Sequence, residues 1–552
     1  MNQLSYDIEI LDEPIEFDGR RHEKSVKIVS YYAQKKVEER YLGLIYPEKI
    51  YDDIEAGKPI NIDNCYVKNF NINEYRKQRK LGEQELVIIH GVSAENAFFD
   101  CDSFTDFSYV KFKDKADFDH AIFSHGSLSF IHSIFETETI DFSSCNFHSH
   151  QTLFQYAEFY GETLKFEASN FDGELISFIN AVLKCKTVTF KRVNFYSGKV
   201  KFHFTEFGKG NKIFEKIKFY GSVLDFHRVI FNSGKIDFRR SLFGDTHVTF
   251  QESEMTSGKL TFRLATFKGG DLTFRRMDFG KDEANFDHIS FGGRKISFES
   301  CTADVISIAN SDIHATLDLR VKRANVIDLS DTYLHSITDM SFQKPDSLNQ
   351  LIIKGTRNLG KIIIEWKKHR VRELILNQKD EKNALIAEQF NIIKDNFAKN
   401  GQYTDEDWAY VYFKRYELKS NRESGLIKYR NFKPIVHLFY FLKLLVFDKM
   451  GLYATSPNRV FISMVFTIIG FGGIYMFFDM LQLGELVNSV GAPDHLGVID
   501  KSLYHSAITF FTIGYGDYYP TGLNRFVSGS EGWVGVFMMS YFTAAFVRKI
   551  LR

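Results

Sequence analysis

From Phe118 to Phe298 a phenylalanine stands at every twelfth position, with no substitution. A second series lies five residues after each: Phe123, Phe135, Phe147, Phe159, Phe171, Leu183, Phe195, Phe207, Phe219, Phe231, Phe243, Met255, Phe267, Phe279 and Phe291. Two residues before the first Phe there is usually Val, Ile or Leu, as at Val188, Val200, Leu224, Ile236 and Val248. An alternating V-x-F with a further inward Phe reads as strand, corner, strand rather than helix. A period of twelve fits neither seven nor eleven, which excludes a coiled coil. Identical residues at a fixed period stack into ladders when coils pile up in a β-solenoid. Phe ladders would fill the bore, while Ser, Thr, Lys and Asp face water. A coil of two units, 24 residues, is expected over a coil of twelve, because two Phe and a Val per layer crowd so narrow a bore.

The five-residue spacing, and fragments such as Ala116-Asp117-Phe118 and Ala157-Glu158-Phe159, resemble the pentapeptide-repeat family. That resemblance implies a right-handed, four-sided β-helix with Leu or Phe inside. The alternation of five- and seven-residue steps departs from the family. The regular solenoid is assigned to residues 99–335. It frays into Phe99/Phe104 and Phe107/Phe112 upstream and into Ile308/Ile313 and Leu329/Leu334 downstream. Residues 1–98 are read as a cap, and 336–380 as an irregular end with strand-like runs such as Ile362-Ile363-Ile364. Solenoids need caps to hide their last exposed layers.

From Glu381 the apolar spacing turns helical. Residues 381–432 form a helical hairpin linker, broken at Gly401, with Thr404 as the expected cap of its second helix. In 433–458, Pro434 to Phe447 is apolar but interrupted by Lys443 and too short to cross a bilayer. It reads as an interfacial helix, or else as a buried helix of the hairpin. Residues 459–552 hold two apolar spans, 460–481 and 530–548. Val460 to Phe478 runs without a charge, enough for a hydrocarbon core of ~30 Å. Gly532 to Val547 is also uncharged, and Ser528 to Glu531 are expected to extend it into the interface. Between the spans lie a short helix, 499–511, and the string Thr512-Ile513-Gly514-Tyr515-Gly516-Asp517.

That string, together with its two flanking spans, resembles the two-span potassium-channel pore family, with the topology of the inward rectifiers. Such a filter replaces an ion's water with rings of backbone carbonyls. Glycine adopts the required backbone cheaply. The resemblance implies that Thr512, Ile513, Gly514, Tyr515 and Gly516 hold permeant potassium, with Thr509, Tyr504 and Asp517 in support. Many relatives have two Trp where this chain has Tyr504 and His505. Some have a Glu at the position of Ile508, so a carboxylate partner for Asp517 is not expected. Gly535 is a candidate gating hinge, although relatives often have glycine nearer the level of Ser540. Gly470-Phe471-Gly472-Gly473 lies inside the first span and reads as a helix-packing surface. Four chains are implied, one per wall of the filter.

The fold class is thus multidomain: an N-terminal right-handed β-solenoid, a helical linker, and a C-terminal all-α two-span membrane pore. Basic residues flank the spans at Lys428, Arg430, Lys433, Lys443, Lys449, Arg459, Arg548, Lys549 and Arg552, while 479–500 carries no Lys or Arg before Lys501. The positive-inside rule places both termini in the cytosol of a bacterial inner membrane. A net charge of zero points away from nucleic acid. The scattered cysteines Cys65, Cys101, Cys145, Cys185 and Cys301 give no disulfide or zinc pattern. No catalytic constellation, voltage-sensor pattern, P-loop or cofactor fingerprint is found, and the chain leaves no room after the second span for a nucleotide-sensing domain. The histidines His120, His125, His132, His148 and His150 read as surface residues. The basic doublets Lys191-Arg192, Arg239-Arg240 and Arg275-Arg276 read as a solvated face. The function expected is a homotetrameric potassium channel, with a solenoid open to a cytosolic ligand or protein that regulates gating. The alternatives are a non-selective cation channel or a membrane-anchored scaffold for a protein partner.

Overall fold

Strand Ile122–Ser124 pairs in parallel with Asn146–His148, placing Phe123 opposite Phe147, 24 residues on. The same step relates Phe159 to Leu183 and Leu224 to Val248. One coil therefore holds two twelve-residue units. The computed structural model describes residues 4–17, 19–378, 381–489 and 496–551; Arg552 lies outside the described residues, as do 490–495. The chain divides into two units, 1–379 and 380–552.

In the first unit, ladders of 16, 12, 8 and 13 strands form the four walls of a β-solenoid of about 13 turns. Phe118, Phe142 and Phe166 stack at 4.9 and 5.1 Å, with rings within 6° of parallel. Phe130, Phe154 and Phe178 form a second column, at 5.1 and 4.8 Å. The columns meet edge to face, as at Phe142 and Phe154, 5.9 Å apart. Offset stacks along each column and T-shaped contacts between columns are the two favoured aromatic geometries. Twelve-residue periodicity thus arises because two opposite corners of each coil need the same residue.

The corners explain the rest of the repeat. Two residues after each first-series Phe the backbone turns left-handed, as at Tyr156, Ala168, Asn180 and Arg192 (φ 57°, 58°, 56° and 60°). The next position is often a small polar residue that bonds to the coil before it. Ser133, Ser169 and Ser241 donate to the carbonyls of Phe107, Phe142 and Phe214 at 2.7, 2.7 and 2.9 Å. Cys145 and Cys301 direct their thiols in the same way, to Phe118 and Phe274. All five cysteines are free and buried. Burial pushes the Cys145 and Cys301 thiols well up from their ordinary range, so they are poor nucleophiles.

Lys212 breaks the pattern of the bore. It pairs with Val188 before it and Ile236 after it, and is 2% exposed. Its ammonium donates to the carbonyls of Gly210, Asn232 and Ser233 at 2.9–3.0 Å. A charge inside a solenoid survives only with such partners.

Near the end the coil shortens. Asn285 pairs with Ser307, Ser307 with Asp328, and Asp328 with Ile352, steps of 22, 21 and 24 residues. Parallel pairing continues to Lys361–Ile363 and is followed by helix α3, Val371–Leu376. At the other end Leu4–Leu11, Ser25–Tyr32 and Lys35–Ile45 form an antiparallel sheet. The last of these strands turns to pair in parallel with Cys65–Lys68, joining the sheet to the solenoid. Helices α1 (Pro47–Glu55) and α2 (Ile72–Arg79) belong to this entry region.

The second unit is helical. Helices α4 (Asn383–Lys399) and α5 (Tyr403–Lys428) form the hairpin. Gly401, at φ 70°, ends the first, and α5 starts so soon after it that Thr404 sits inside the first turn rather than capping it. Helix α6 (Lys433–Lys443) buries no residue, and Leu438, Phe439 and Phe441 are exposed. Helix α7 (Pro457–Met480) is long and apolar enough to cross a membrane, the one such helix among the described residues. Helices α8 (Val498–Phe510) and α9 (Asn524–Ile550) follow.

Candidate functional site

Helix α8 ends at Phe510, and the chain leaves it in a turn of alternating hand. Thr512, Gly514 and Gly516 take φ of 54°, 60° and 76°, while the residues between them do not. Alternating left- and right-handed residues turn successive carbonyls to one side, which is what an ion-coordinating wall requires. A Cβ added at Gly514 or Gly516 would meet nothing within 4 Å. Backbone conformation, not crowding, is therefore what asks for glycine at these two places. Thr512 adopts the same conformation without being glycine, a strain of the kind stored at functional sites. Ile513 and Tyr515 are exposed on the single chain.

The far end of this segment is clamped. The Tyr504 hydroxyl donates to Asp517 Oδ2 at 2.7 Å. The Ser489 hydroxyl donates to the Gly516 carbonyl at 2.6 Å, and its backbone N–H donates to that of Asp517 at 2.8 Å. Leu486–Asn488 pairs antiparallel with Tyr518–Pro520, which carries Ser489 to that position. Asp517 thus has a phenol as partner where a carboxylate was not expected, and Ile508 is buried. Thr509 approaches His505 Nε2 at 3.4 Å.

Behind α8 lies a polar cluster. Glu531, on α9, is fully buried. It accepts from the Tyr475 hydroxyl of α7 at 2.6 Å and from the Ser506 hydroxyl of α8 at 2.5 Å. One carboxylate thereby ties three helices together. His505 lies edge-on to Tyr475 at 5.1 Å, and its Nδ1 has no hydrogen-bond partner among the described residues. Helix α9 already begins at Asn524, so Ser528 to Glu531 continue the second span upstream, with Glu531 turned inward.

Glycines set the helix spacing. A Cβ at Gly535 would collide with the Phe510 carbonyl at the end of α8, and one at Gly472 would press on Leu503. Helix α9 runs unbroken through Gly535. The structure therefore gives this residue a packing reason, close approach to the last residue of α8.

Residues 495–552 match the ion channel family model. A curated relative, Protein LctB of Bacillus caldotenax, is 33% identical over 73 residues, 13% of this chain and 54% of the relative. The chain thus spans about half the length of the curated relative it matches. No solved structure matches it. The second unit ends in an ion channel domain that includes α8, the glycine turn and α9.

The C-terminal end of the channel domain is tied to the hairpin, which sequence reasoning did not foresee. Arg548 and Lys549, at the end of α9, pair with Asp407 of α5 at 3.1 and 2.8 Å. Arg548 also lies 4.3 Å from the Tyr410 ring. Arg415 of α5 forks onto Asp448, in the turn between α6 and α7, at 2.9–3.1 Å. That turn holds Leu452, Tyr453 and Ala454 in successive left-handed conformations (φ 48°, 54° and 61°). The Ala454 N–H donates to the Tyr541 hydroxyl of α9 at 2.9 Å. A lone Glu in an apolar helix and an Asp early in α5 were the available signals, but spacing alone pairs neither with a partner.

Proposed function

We propose that this protein is a potassium-selective channel of the cell membrane, built from four copies around the 512–516 turn. The observation that carries this reading is the left-handed set Thr512, Gly514 and Gly516 within T-I-G-Y-G, held by Ser489 and by Tyr504 through Asp517. One chain supplies one wall of carbonyls, and a closed ring of four supplies the cage that replaces an ion's water. Helices α7 and α9 cross the bilayer, α8 enters from the outer side, and the basic flanks set both termini in the cytosol. Ile513 and Tyr515, exposed on one chain, would face neighbouring subunits in the ring. The channel needs no cofactor beyond its permeant ion, and its work is conduction rather than catalysis.

The solenoid serves as a cytosolic regulatory domain. Its influence reaches the pore through α5, whose acids hold the end of α9, and through the strained turn at 452–454. A ligand or protein bound to the solenoid can bias opening only if these contacts differ between open and closed states.

The deciding experiment is flux through the purified full chain in liposomes, under a potassium gradient opposed by sodium. A reversal potential near that of potassium supports the reading. Equal permeation of sodium makes the protein a non-selective cation channel. No flux of either ion leaves the scaffold role.

A further inference from the structure

Asp312, His314 and His335 meet on the outer face of the solenoid, on the two coils where the repeat is shortest. Asp312 pairs with Tyr333 and Ile313 with Leu334 across the rung, which sets His335 directly beside His314. Asp312 and His314 are two residues apart on one strand, so their side chains leave the same face. Their intervening neighbours Ile313 and Leu334 are buried and fix the backbone on both rungs. The two imidazole rings are parallel within 10°, at a centroid distance of 3.9 Å. Each presents Nε2 to the one carboxylate: His335 lies 2.8 Å from Asp312 Oδ1, and His314 lies 3.3 Å from Oδ2. The potential ligand atoms all lie within 4.8 Å of one another. On the preceding rung Gly292 follows Phe291, the partner of Ile313, so no side chain covers His314 from that side.

We propose that these three side chains form a binding site for a borderline divalent transition metal of the zinc class. Two neutral imidazoles and a carboxylate are a donor set that suits zinc, cobalt, nickel or copper better than magnesium or calcium. Tetrahedral coordination, with Zn–N of ~2.0–2.1 Å, needs donor atoms about 3.3 Å apart, close to the two imidazole–carboxylate separations of 2.8 and 3.3 Å. The fourth position opens to water, since the side chains of Asp312 and His314 are about half exposed, at 49% and 52%. Without a metal, two stacked rings share one carboxylate. With a metal, each ring gives a lone pair and Asp312 balances half the added charge. The earlier histidines lack this convergence: His125, His148 and His150 each face a separate acid, Asp100, Asp172 and Glu174. The D-x-H pattern with a second His 21 residues later is visible in the sequence only once the coil length is known.

The test uses the untagged full chain in detergent, titrated with cobalt(II) and followed by its visible absorption, with zinc(II) added in competition. One saturable cobalt per chain, displaced by zinc, is expected. The signal is lost in His335→Ala and in His314→Ala, is weakened in Asp312→Asn, and is kept in His150→Ala. Circular dichroism of each variant checks that the solenoid is intact. Equal one-to-one binding by the His314→Ala/His335→Ala double variant would overturn the proposal, and so would the absence of saturable binding by the natural chain.

Discussion

Gly516 sits at φ 76° with open space where a side chain would be. Gly516→Ala therefore costs only the backbone penalty, ~1–2 kcal/mol for a left-handed residue, without a clash. The expected outcome is a folded assembly that has lost potassium flux; normal selective flux from this variant would sink the filter assignment. Glu531 is expected to matter through its two hydroxyl partners. Glu531→Ala takes the carboxylate acceptor from the buried Tyr475 hydroxyl, at ~1–3 kcal/mol, while Ser506 keeps the Ile468 carbonyl at 2.8 Å and Glu531→Gln keeps an acceptor for both. Melting of the purified assembly should rank natural, Gln, then Ala, and an unchanged Ala variant would show the tie to be idle. Lys212 gives a pH test. Burial pushes its ammonium down to about 8, below the ~10.4 of an unfolded lysine. Between those values the unfolded chain holds more protons, so solenoid stability rises with pH in that window. Lys212→Met should be the more stable at neutral pH, and its advantage should shrink by pH 10. A constant difference, read by hydrogen exchange in the neighbouring coils, would contradict this.

At the scale of elements the solenoid is held by columns, not by individual strands of two or three residues. Phe226 is fully buried and stacks on Phe202 and Phe250 at 4.8 and 4.7 Å. Phe226→Ala should cost ~3–5 kcal/mol locally, as buried Phe truncations do. Lys235 reaches Asp237 at 2.8 Å, but Arg239 holds the same carboxylate, so Lys235→Ala should cost little. Equal effects on solenoid melting would mean that the Phe column is not the core. The outer charges follow the same logic in part: Glu252 takes both Arg228 and Arg276, Arg239 holds Asp237 and Arg275 reaches Glu299.

At the scale of the whole molecule the question is whether the solenoid unit could influence the channel domain. Ion pairs from Asp407 to Arg548 and Lys549 hold the end of α9 to the hairpin. Asp407→Lys should break both pairs and place like charges together. If the hairpin biases the pore, single-channel open probability in bilayers should shift, and in the same direction as in a chain that begins at Lys433. Open probability unchanged in both, under every ionic condition tried, would assign the solenoid to assembly or partner binding.

Much of this was legible in the sequence, because a fixed repeat and a glycine turn are written in short stretches of chain. An unbroken twelve-residue Phe period specifies stacked coils, since the same inward position recurs once per half coil and its rings stack on those of the next coil. Two glycines in T-I-G-Y-G allow the left-handed backbone that Gly514 and Gly516 adopt. The choice of a 24-residue coil was legible only as a crowding argument, and strand register decided it. What the tertiary structure alone decided are the long-range polar meetings: Glu531 with Tyr475 and Ser506, Tyr504 with Asp517, Asp407 with Arg548, and Lys212 with three carbonyls. Burial makes such groups find partners, but which partner comes within 3 Å depends on helix spacing and coil length. Those are set by packing across many residues, and no residue spells them out in its own neighbourhood.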